Sequence, residues 1–321
     1  MSNFGPFAEQ LEFKLATRLQ VKHCLVLSNL STGLMFMPGA AGLTAGEVIV
    51  PSFTFLATAH SMKLAGLTPV FADVDPETLT LDPRSVSAAI GPNTVAVCGV
   101  HVYGTPCDIE GLESVCNRHG LVLFFDSAHG LGSFHNGRPL GGFGLAEGFS
   151  TSVTKPLTTL GEGGFLCTND DSFAEYIRLA RNWGHGGDYN SKFASIVSKM
   201  PEVSAAAGLI ELERLDTYVA NRGKYVAQLK SDLQNLPGLT FPKLRKGDES
   251  SWKDFSILVD QIQFGLTRDQ FQIALAAEGI EFVTNTEIGK DQAGSQIGDL
   301  FDATVICTGA TKPMDFVKDA S

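Results

Sequence analysis

The chain has 321 residues, 44% of them hydrophobic and 18% charged, with a formal net charge of −11. That is enough chain for a sizeable core and for two domains, or for one large domain with a smaller partner. The acidic balance excludes general affinity for nucleic acid or anionic membrane, since both need a basic surface.

The first residues, Met-Ser-Asn-Phe-Gly-Pro, show no basic region ahead of an apolar stretch, and no run approaches membrane-spanning length. Six cysteines, at Cys24, Cys98, Cys107, Cys116, Cys167 and Cys307, form neither a C-x-x-C pair nor a His/Cys spacing of the zinc kind, so no metal site is expected. Several lie in apolar runs, which reads as buried free thiols in a reducing cytosol. A cytoplasmic protein is the expectation.

Residues 7–19 place apolar side chains at Phe7, Leu11, Phe13, Leu15 and Leu19 with charges between them, which predicts an amphipathic helix. Residues 23–27 form a short apolar run ending at Ser28-Asn-Leu-Ser-Thr-Gly33, ahead of a second helical pattern. Strand, turn and helix in that order aim backbone N–H groups beyond the turn, where a phosphate could be held. The alternative is a plain Ser/Asn helix cap. Pro38 falls inside the second helix and should kink or end it, at a cost of about 3 kcal/mol if the helix continued.

A strand at 47–50 leads into Pro51-Ser-Phe-Thr-Phe55 and a helix through Ala65. Further apolar runs at 69–72, 95–99, 121–125, 148–152 and 164–168 bring the total to seven, and helical patterns at 86–90, 109–119 and 173–181 separate most of them. The runs are continuous rather than alternating, as in strands buried on both faces. The fold class is therefore α/β, with a mostly parallel seven-stranded sheet covered by helices. Ligands of such sheets sit beyond the carboxyl ends of the strands. Ser28, Asp126 and Ser150 all fall at such ends.

From Val203 on, apolar residues at 203, 206, 209, 212, 215 and 219 predict a long helix running toward Leu236 and ending near Asn235-Leu-Pro-Gly238. A strand at 255–259 and a helix at 268–277 look like the start of a small α+β domain. The expected division is 1–220 for a large domain, 221–279 for the start of the small one, and 280–321 for an atypical tail.

Two stretches carry chemistry. In Ser150-Thr-Ser-Val-Thr-Lys155-Pro-Leu-Thr-Thr-Leu-Gly-Glu-Gly-Gly164 a lysine stands among small hydroxyl residues with no carboxylate following it until Glu162. Such a lysine can be desolvated and lose its proton readily enough to act as an amine nucleophile, which is what a Schiff-base lysine needs. Taken alone, it could equally be a solvated surface charge beside a glycine turn. In Leu121-Val-Leu-Phe-Phe-Asp126-Ser-Ala-His129 a carboxylate follows five apolar residues, where it is costly unless a positive partner such as a protonated heterocyclic nitrogen is supplied. An aspartate capping the next turn is the alternative.

Taken together, the segments Phe4-Gly-Pro6, Pro51-Ser-Phe-Thr-Phe55-x-Ala-Thr58, Gly66-x-x-Pro69-Val-Phe-x-Asp73-Val-Asp75, His101-Val-Tyr-Gly104, Asp126-x-Ala-His129, and Ser150 with Lys155 and Gly161-Glu-Gly-Gly164 are collinear over residues 4–279. In this order and spacing the chain resembles the DegT/DnrJ/StrS family of pyridoxal-phosphate-dependent sugar aminotransferases, which have the fold-type I architecture. The resemblance implies a fold-type I large domain and a homodimer with sites built across the interface. It also implies a role for each matching residue. Lys155 would be the Schiff-base lysine and proton carrier, and Asp126 would keep the pyridine nitrogen of pyridoxal 5'-phosphate protonated. His129 would lie near the ring's phenolic oxygen, and Phe55 would stack on the ring face. For both of these, core packing is the alternative. Ser150, with Ser31, Thr32 and the N–H groups of residues 30–32, would bind the phosphate.

The chain departs from the family pattern in several places. Leu30-Ser31 stands where the family usually has Gly-Thr, and Thr151-Ser152 stands where an aromatic and a histidine are common. Val197 takes the place of an asparagine that reaches the partner's phosphate. An altered phosphate affinity is expected. After Glu278-Gly-Ile280 the chain resembles instead a fragment of the glutamate synthase small subunit, with strands near 281–283 and 303–307 but no G-x-G-x-x-G turn, so no cofactor is assigned to it. The small domain is then incomplete. The activity expected is transfer of an amino group from an amino acid, glutamate foremost, to a nucleotide-linked keto-deoxysugar. The alternative is a non-catalytic or impaired remnant that keeps the fold.

Overall fold

The computed structural model describes residues 5–278 and a strand at 305–307. The chain begins with α1 (Pro6–Leu19), β1 (His23–Leu27), α2 (Leu30–Ala40), β2 (Glu47–Pro51), α3 (Leu56–Leu64), β3 (Thr68–Ala72), α4 (Pro83–Ala89) and β4 (Thr94–Val100). It continues through α5 (Ile109–His119), β5 (Val122–Asp126), a small hairpin of β6 (Phe134–His135) and β7 (Arg138–Pro139), β8 (Ala146–Ser150), β9 (Gly164–Thr168), α6 (Asp171–Ala180) and α7 (Glu202–Leu233). The last described elements are β10 (Leu239–Thr240), β11 (Asp248–Glu249), β12 (Phe255–Val259), α8 (Gln261–Phe264), α9 (Arg268–Ala277) and β13 (Val305–Cys307).

Two compact units divide these elements. The first comprises Met1–Ala220 with Leu244–Lys253, and the second comprises Asn221–Lys243 with the described residues from Asp254 onward. The first holds the seven-stranded sheet, in the order β1-β9-β8-β5-β4-β2-β3. Strand β9 is antiparallel to both of its neighbours, while β8, β5, β4, β2 and β3 pair in parallel. All strands but β9 therefore run the same way, and their carboxyl ends share one edge.

The continuous apolar runs are explained by which core each side chain enters. Successive residues alternate between two buried clusters: Cys24, Val26, Ile49, Val97, Phe125 and Phe165 lie in one, and Leu25, Leu27, Val48, Val50, Phe124 and Leu166 in the other. Helices α1, α5 and the first part of α7 cover the first face, through Leu11, Leu15, Leu112, Leu212 and Leu215. Helices α2, α3 and α6 cover the second, through Leu34, Met37, Met62, Phe173 and Ile177. Each fully buried Leu or Phe contributes about 1.5–3 kcal/mol, so both faces are strongly specified.

The strand expected at 148–152 lies at Ala146–Ser150. Ser150 pairs with Gly164, after which the chain turns and Lys155 N donates to Ser152 O at 2.9 Å. Pro38 does lie within α2, but in its last turn. The helix stops at Ala40, and the N–H groups of Ala41 and Leu43 take the carbonyls of Met37 (3.1 Å) and Pro38 (2.9 Å), so the proline removes one interior bond at the point where the helix ends.

In the second unit, β12 pairs antiparallel with β10 and parallel with β13. Helix α9 opens on a capping box, in which Thr267 accepts from Gln270 N at 3.2 Å and Gln270 Oε1 accepts from Thr267 N at 2.9 Å. The strand expected near 303–307 is β13, and the one expected at 281–283 lies outside the described residues. Among the described residues no helix is long and apolar enough to cross a membrane.

Candidate active site

The parallel edge of the sheet gathers the chemistry. Ser28 follows β1, Phe55 follows β2 at the start of α3, His101 and Tyr103 follow β4, Asp126 ends β5, and Ser150 ends β8 with Lys155 in the loop beyond. Because β9 is reversed, its first residue Gly164 lies at this same edge, opposite Leu27 on one side and Ser150 on the other.

The Lys155 loop is held by hydroxyl groups and shaped by glycines. Thr151 N donates to Gly163 O and Thr159 N to Thr151 O, both at 2.9 Å, and the two threonine hydroxyls lie 3.0 Å apart. A Cβ on Gly163 would sit 2.1 Å from Thr159 Oγ1, and one on Gly164 would sit 2.6 Å from the backbone nitrogen of Leu30. Glycine is thus required by close approach, and the loop after the lysine packs directly on the turn between β1 and α2.

In that turn the capping alternative holds for Asn29, whose Oδ1 accepts from Thr32 N at 2.9 Å. Thr32 turns inward, its Oγ1 lying 2.6 Å from Ser198 Oγ and 3.0 Å from Asn29 O. Ser31 is exposed, and Ser150 is 9% exposed at its strand end. Leu30 does not crowd the turn, since its side chain is buried beside Gly148 in the core under α2. Its backbone N–H is the same whichever side chain stands there. Val197, by contrast, exposes its apolar side chain (43%).

Asp126 is deeply buried at this edge, 4% exposed. Oδ2 accepts from Thr58 Oγ1 at 2.7 Å and Oδ1 from Ala128 N at 3.1 Å. Burial holds its carboxyl above the ordinary 3.8, against the opposing pull of Thr58, Ala128 N–H, Lys155 and His101. Lys155 is therefore near enough for its charge to be felt at Asp126. It is felt at His129 as well, where burial first, and then the charges of Lys155 and Lys253, hold the imidazole well below its ordinary 6.5.

The neutral His129 has a defined tautomer. Its Nδ1 accepts the backbone N–H of Tyr103 at 3.1 Å, so Nε2 carries the proton and acts as a donor. Tyr103 supplies that N–H from a left-handed conformation (φ 57°, ψ 13°), unusual for a bulky residue, and its ring stacks on His129 at 6.0 Å between centroids and 11° between planes. Phe55 is 74% exposed at the N-terminus of α3. Beneath the edge, Glu147 is fully buried. It accepts from Ser127 Oγ, Gly141 N and Phe143 N, each at 2.8 Å, and His101 Nε2 stands 3.6 Å away.

Lys155, Asp126, His129, Ser150 and Phe55 are thus brought to one edge, with Ser31 on the adjoining turn and Thr32 folded into its cap. Sequence reasoning missed the parts played by Thr58, Tyr103 and Ser198. The first two lay inside quoted motifs, and Thr58 stands three residues after Phe55, the spacing that puts both on one side of a helix start.

Comparison with known proteins gives a consistent answer. GDP-perosamine synthase of Caulobacter vibrioides is 35% identical over 287 residues, covering 88% of this chain and 76% of that protein. The dTDP-3-amino-3,4,6-trideoxy-alpha-D-glucose transaminase of Streptomyces venezuelae is 32% identical over 282 residues, covering 88% and 73%. A crystal structure of DesI in the presence of its TDP-sugar product superposes with a TM-score of 0.81 at 39% identity, covering 87% of this chain and 70% of that one. Residues 1–286 match one family along their whole length, and the chain belongs to the DegT/DnrJ/EryC1/StrS aminotransferase family.

Proposed function

We propose that this protein is a pyridoxal-phosphate-dependent aminotransferase that moves an amino group from an amino acid, glutamate foremost, to the keto carbon of a nucleotide-linked deoxysugar. One observation carries the reading: an amine (Lys155) and a buried carboxylate (Asp126) lie within electrostatic reach of each other, at the sheet edge that also holds the β1–α2 turn. The groups fit the cofactor. Asp126 is buried at a cost that a pyridinium nitrogen would offset, the turn and Ser150 offer N–H and hydroxyl donors to a phosphate, and the Phe55 ring is exposed and available to a planar partner.

When bound, pyridoxal phosphate supplies an aldehyde that reacts with amines and a ring that draws electrons from the neighbouring carbon. The chain's own groups do the rest. Lys155 is the residue that would hold the cofactor covalently, and its Nζ would take up and return the proton at the reacting carbon. Asp126 would accept the hydrogen bond of the ring nitrogen and keep it protonated, while His129, whose Nε2 carries the proton, would donate to the phenolic oxygen. Phe55 would cover one face of the ring. The amino-acid donor and the keto-sugar would occupy this same site in turn. We read the working form as a cytoplasmic homodimer. Phe13 (73%), Val203 (56%) and Ile210 (56%) expose large apolar side chains on α1 and α7, which supports that reading. The division into a large domain at 1–220, the start of a small one at 221–279 and an atypical tail remains part of this reading.

The remnant alternative is not favoured, because Lys155 and Asp126 both stand and the relatives are transaminases and synthases of amino sugars. Mixing purified protein with pyridoxal phosphate tests the reading. A visible absorbance band of lysine-bound cofactor is expected, lost in Lys155→Ala and bleached by glutamate in the wild type. A band that glutamate leaves unchanged would favour the remnant, and no band at all would count against both.

A further inference from the structure

We propose that Thr58 is a positioning residue for the amino-transfer reaction, its hydroxyl, itself oriented by Thr54, holding Asp126 in one orientation as an anion. The proposal rests on the reading in which Asp126 serves the ring nitrogen.

The direction of each hydrogen bond follows from valence. An ionised carboxylate only accepts, so in the 2.7 Å contact Thr58 Oγ1 donates to Asp126 Oδ2. A hydroxyl has one proton. In the 2.9 Å contact between Thr54 Oγ1 and Thr58 Oγ1 the donor must then be Thr54, and the two threonines form a one-way chain ending on the carboxylate. Thr58 is 0% exposed and Asp126 4%, so bulk water does not stand in for the hydroxyl.

Backbone geometry acts in the same sense. Thr58 is the third residue of α3, whose N-terminal N–H groups favour negative charge, and Ala128 N–H holds the other carboxylate oxygen at 3.1 Å. Opposing them is burial, which favours the neutral acid. A protonated Asp126 would lack the charge that keeps a ring nitrogen protonated. The titratable groups facing Asp126 are Cys98 and His101 from β4 and its end, and Lys155 from the loop after β8. Thr58 is the neutral donor that pulls against burial toward the anion without adding a competing charge.

Two readouts on the full chain test this. In cofactor-free protein, the infrared carboxyl band absent from Asp126→Asn reports when Asp126 ionises as pH rises. Thr58→Val should move that transition to higher pH, and equilibrium dialysis should show pyridoxal phosphate bound about tenfold or more weakly. Thr58→Ser should restore both. An unmoved transition in Thr58→Val, or a Thr58→Ser shifted as far as Thr58→Val, overturns the proposal, since a merely structural threonine would not set the ionisation. If Thr58→Val does not fold, Thr54→Val carries the test. It should shift the transition the same way by less, and no shift overturns the chain of donors. A wild type that binds no pyridoxal phosphate, in a series where the infrared shift still appears, overturns the cofactor reading and upholds Thr58 as the setter of Asp126.

Discussion

Asp126 shows what a functional residue costs the protein that carries it. Its folded carboxyl is held above the ordinary 3.8 because burial outweighs the Thr58 and Ala128 hydrogen bonds and the charges of Lys155 and His101. A raised folded value means that the folded state binds the proton more tightly than the unfolded one. Its stability contribution is therefore full at low pH and is lost as pH rises through the folded value. Above the ordinary 3.8 the cofactor-free protein therefore gives up stability to keep this carboxyl buried. Asp126→Asn should raise cofactor-free stability at pH 7 by about 1 kcal/mol, as removal of strained functional groups commonly does. The gain should shrink as pH falls through the folded value and be gone well below 3.8, where aspartate is neutral in both states. Urea denaturation across that range measures it, and a variant no more stable than wild type at pH 7 would show that burial does not dominate at this residue. His129 poses the same problem with a different answer: burial keeps it neutral, and a strained Tyr103 N–H fixes which nitrogen carries the proton.

Among the elements, the glycine cluster after Lys155 acts as a joint. The cluster was visible in the sequence as a turn, but not why it needs glycine at two positions in particular. The reason is tertiary: Gly163 has threonine hydroxyls where a Cβ would stand, and Gly164 has the backbone of Leu30. Gly161, in the same cluster, has open space around it. Gly164→Ala should push the start of β9 away from the β1–α2 turn, with a stability loss of about 1–3 kcal/mol and pyridoxal phosphate held about tenfold more weakly. Gly161→Ala should change neither. Thermal melts with equilibrium dialysis separate the two, and equal behaviour would remove the joint from the argument. The same limit on sequence reading explains β9 itself. Phe165 to Cys167 is a continuous apolar run because it is buried on both faces, and that signature is the same whether the strand runs with its neighbours or against them. Glu147, fully buried within β8, was equally hidden, since its partners come from two turns, Ser127 after β5 and Gly141 with Phe143 ahead of β8.

Across the whole molecule, the sheet was legible because long apolar runs and helical periods are local signals. The attachments between distant segments were not. The clearest of these joins the beginning of the chain to α7. Helix α1 has Gly5 as its N-cap and no side-chain cap of its own, and the missing acceptor comes from Glu202. Its carboxylate accepts from Gly5 N at 2.7 Å, Phe7 N at 3.0 Å and Ala8 N at 3.1 Å, across 194 to 197 residues of chain. Glu202 is 5% exposed, and burial alone would raise its carboxyl. The N–H groups of Phe7, Ala8 and Gly5 outweigh burial and leave it below the ordinary 4.5. A depressed folded value contributes stability that is present above 4.5 and lost as pH falls through the folded value. Glu202→Gln should therefore cost about 1–3 kcal/mol at pH 7, the range for a charged acceptor removed from buried donors at a helix N-terminus. The difference from wild type should close in acid. Glu213, which pairs with Lys14 at 3.1 Å between the same two helices but stands 72% exposed, is the internal comparison, and its alanine variant should cost no more than about 1 kcal/mol at any pH. Denaturant melts of both variants at pH 7 and in acid decide the matter. If Glu202→Gln and Glu213→Ala cost the same at pH 7, or if the Glu202 difference persists in acid, the two helices are joined by packing of Leu11 and Leu15 rather than by the long-range cap.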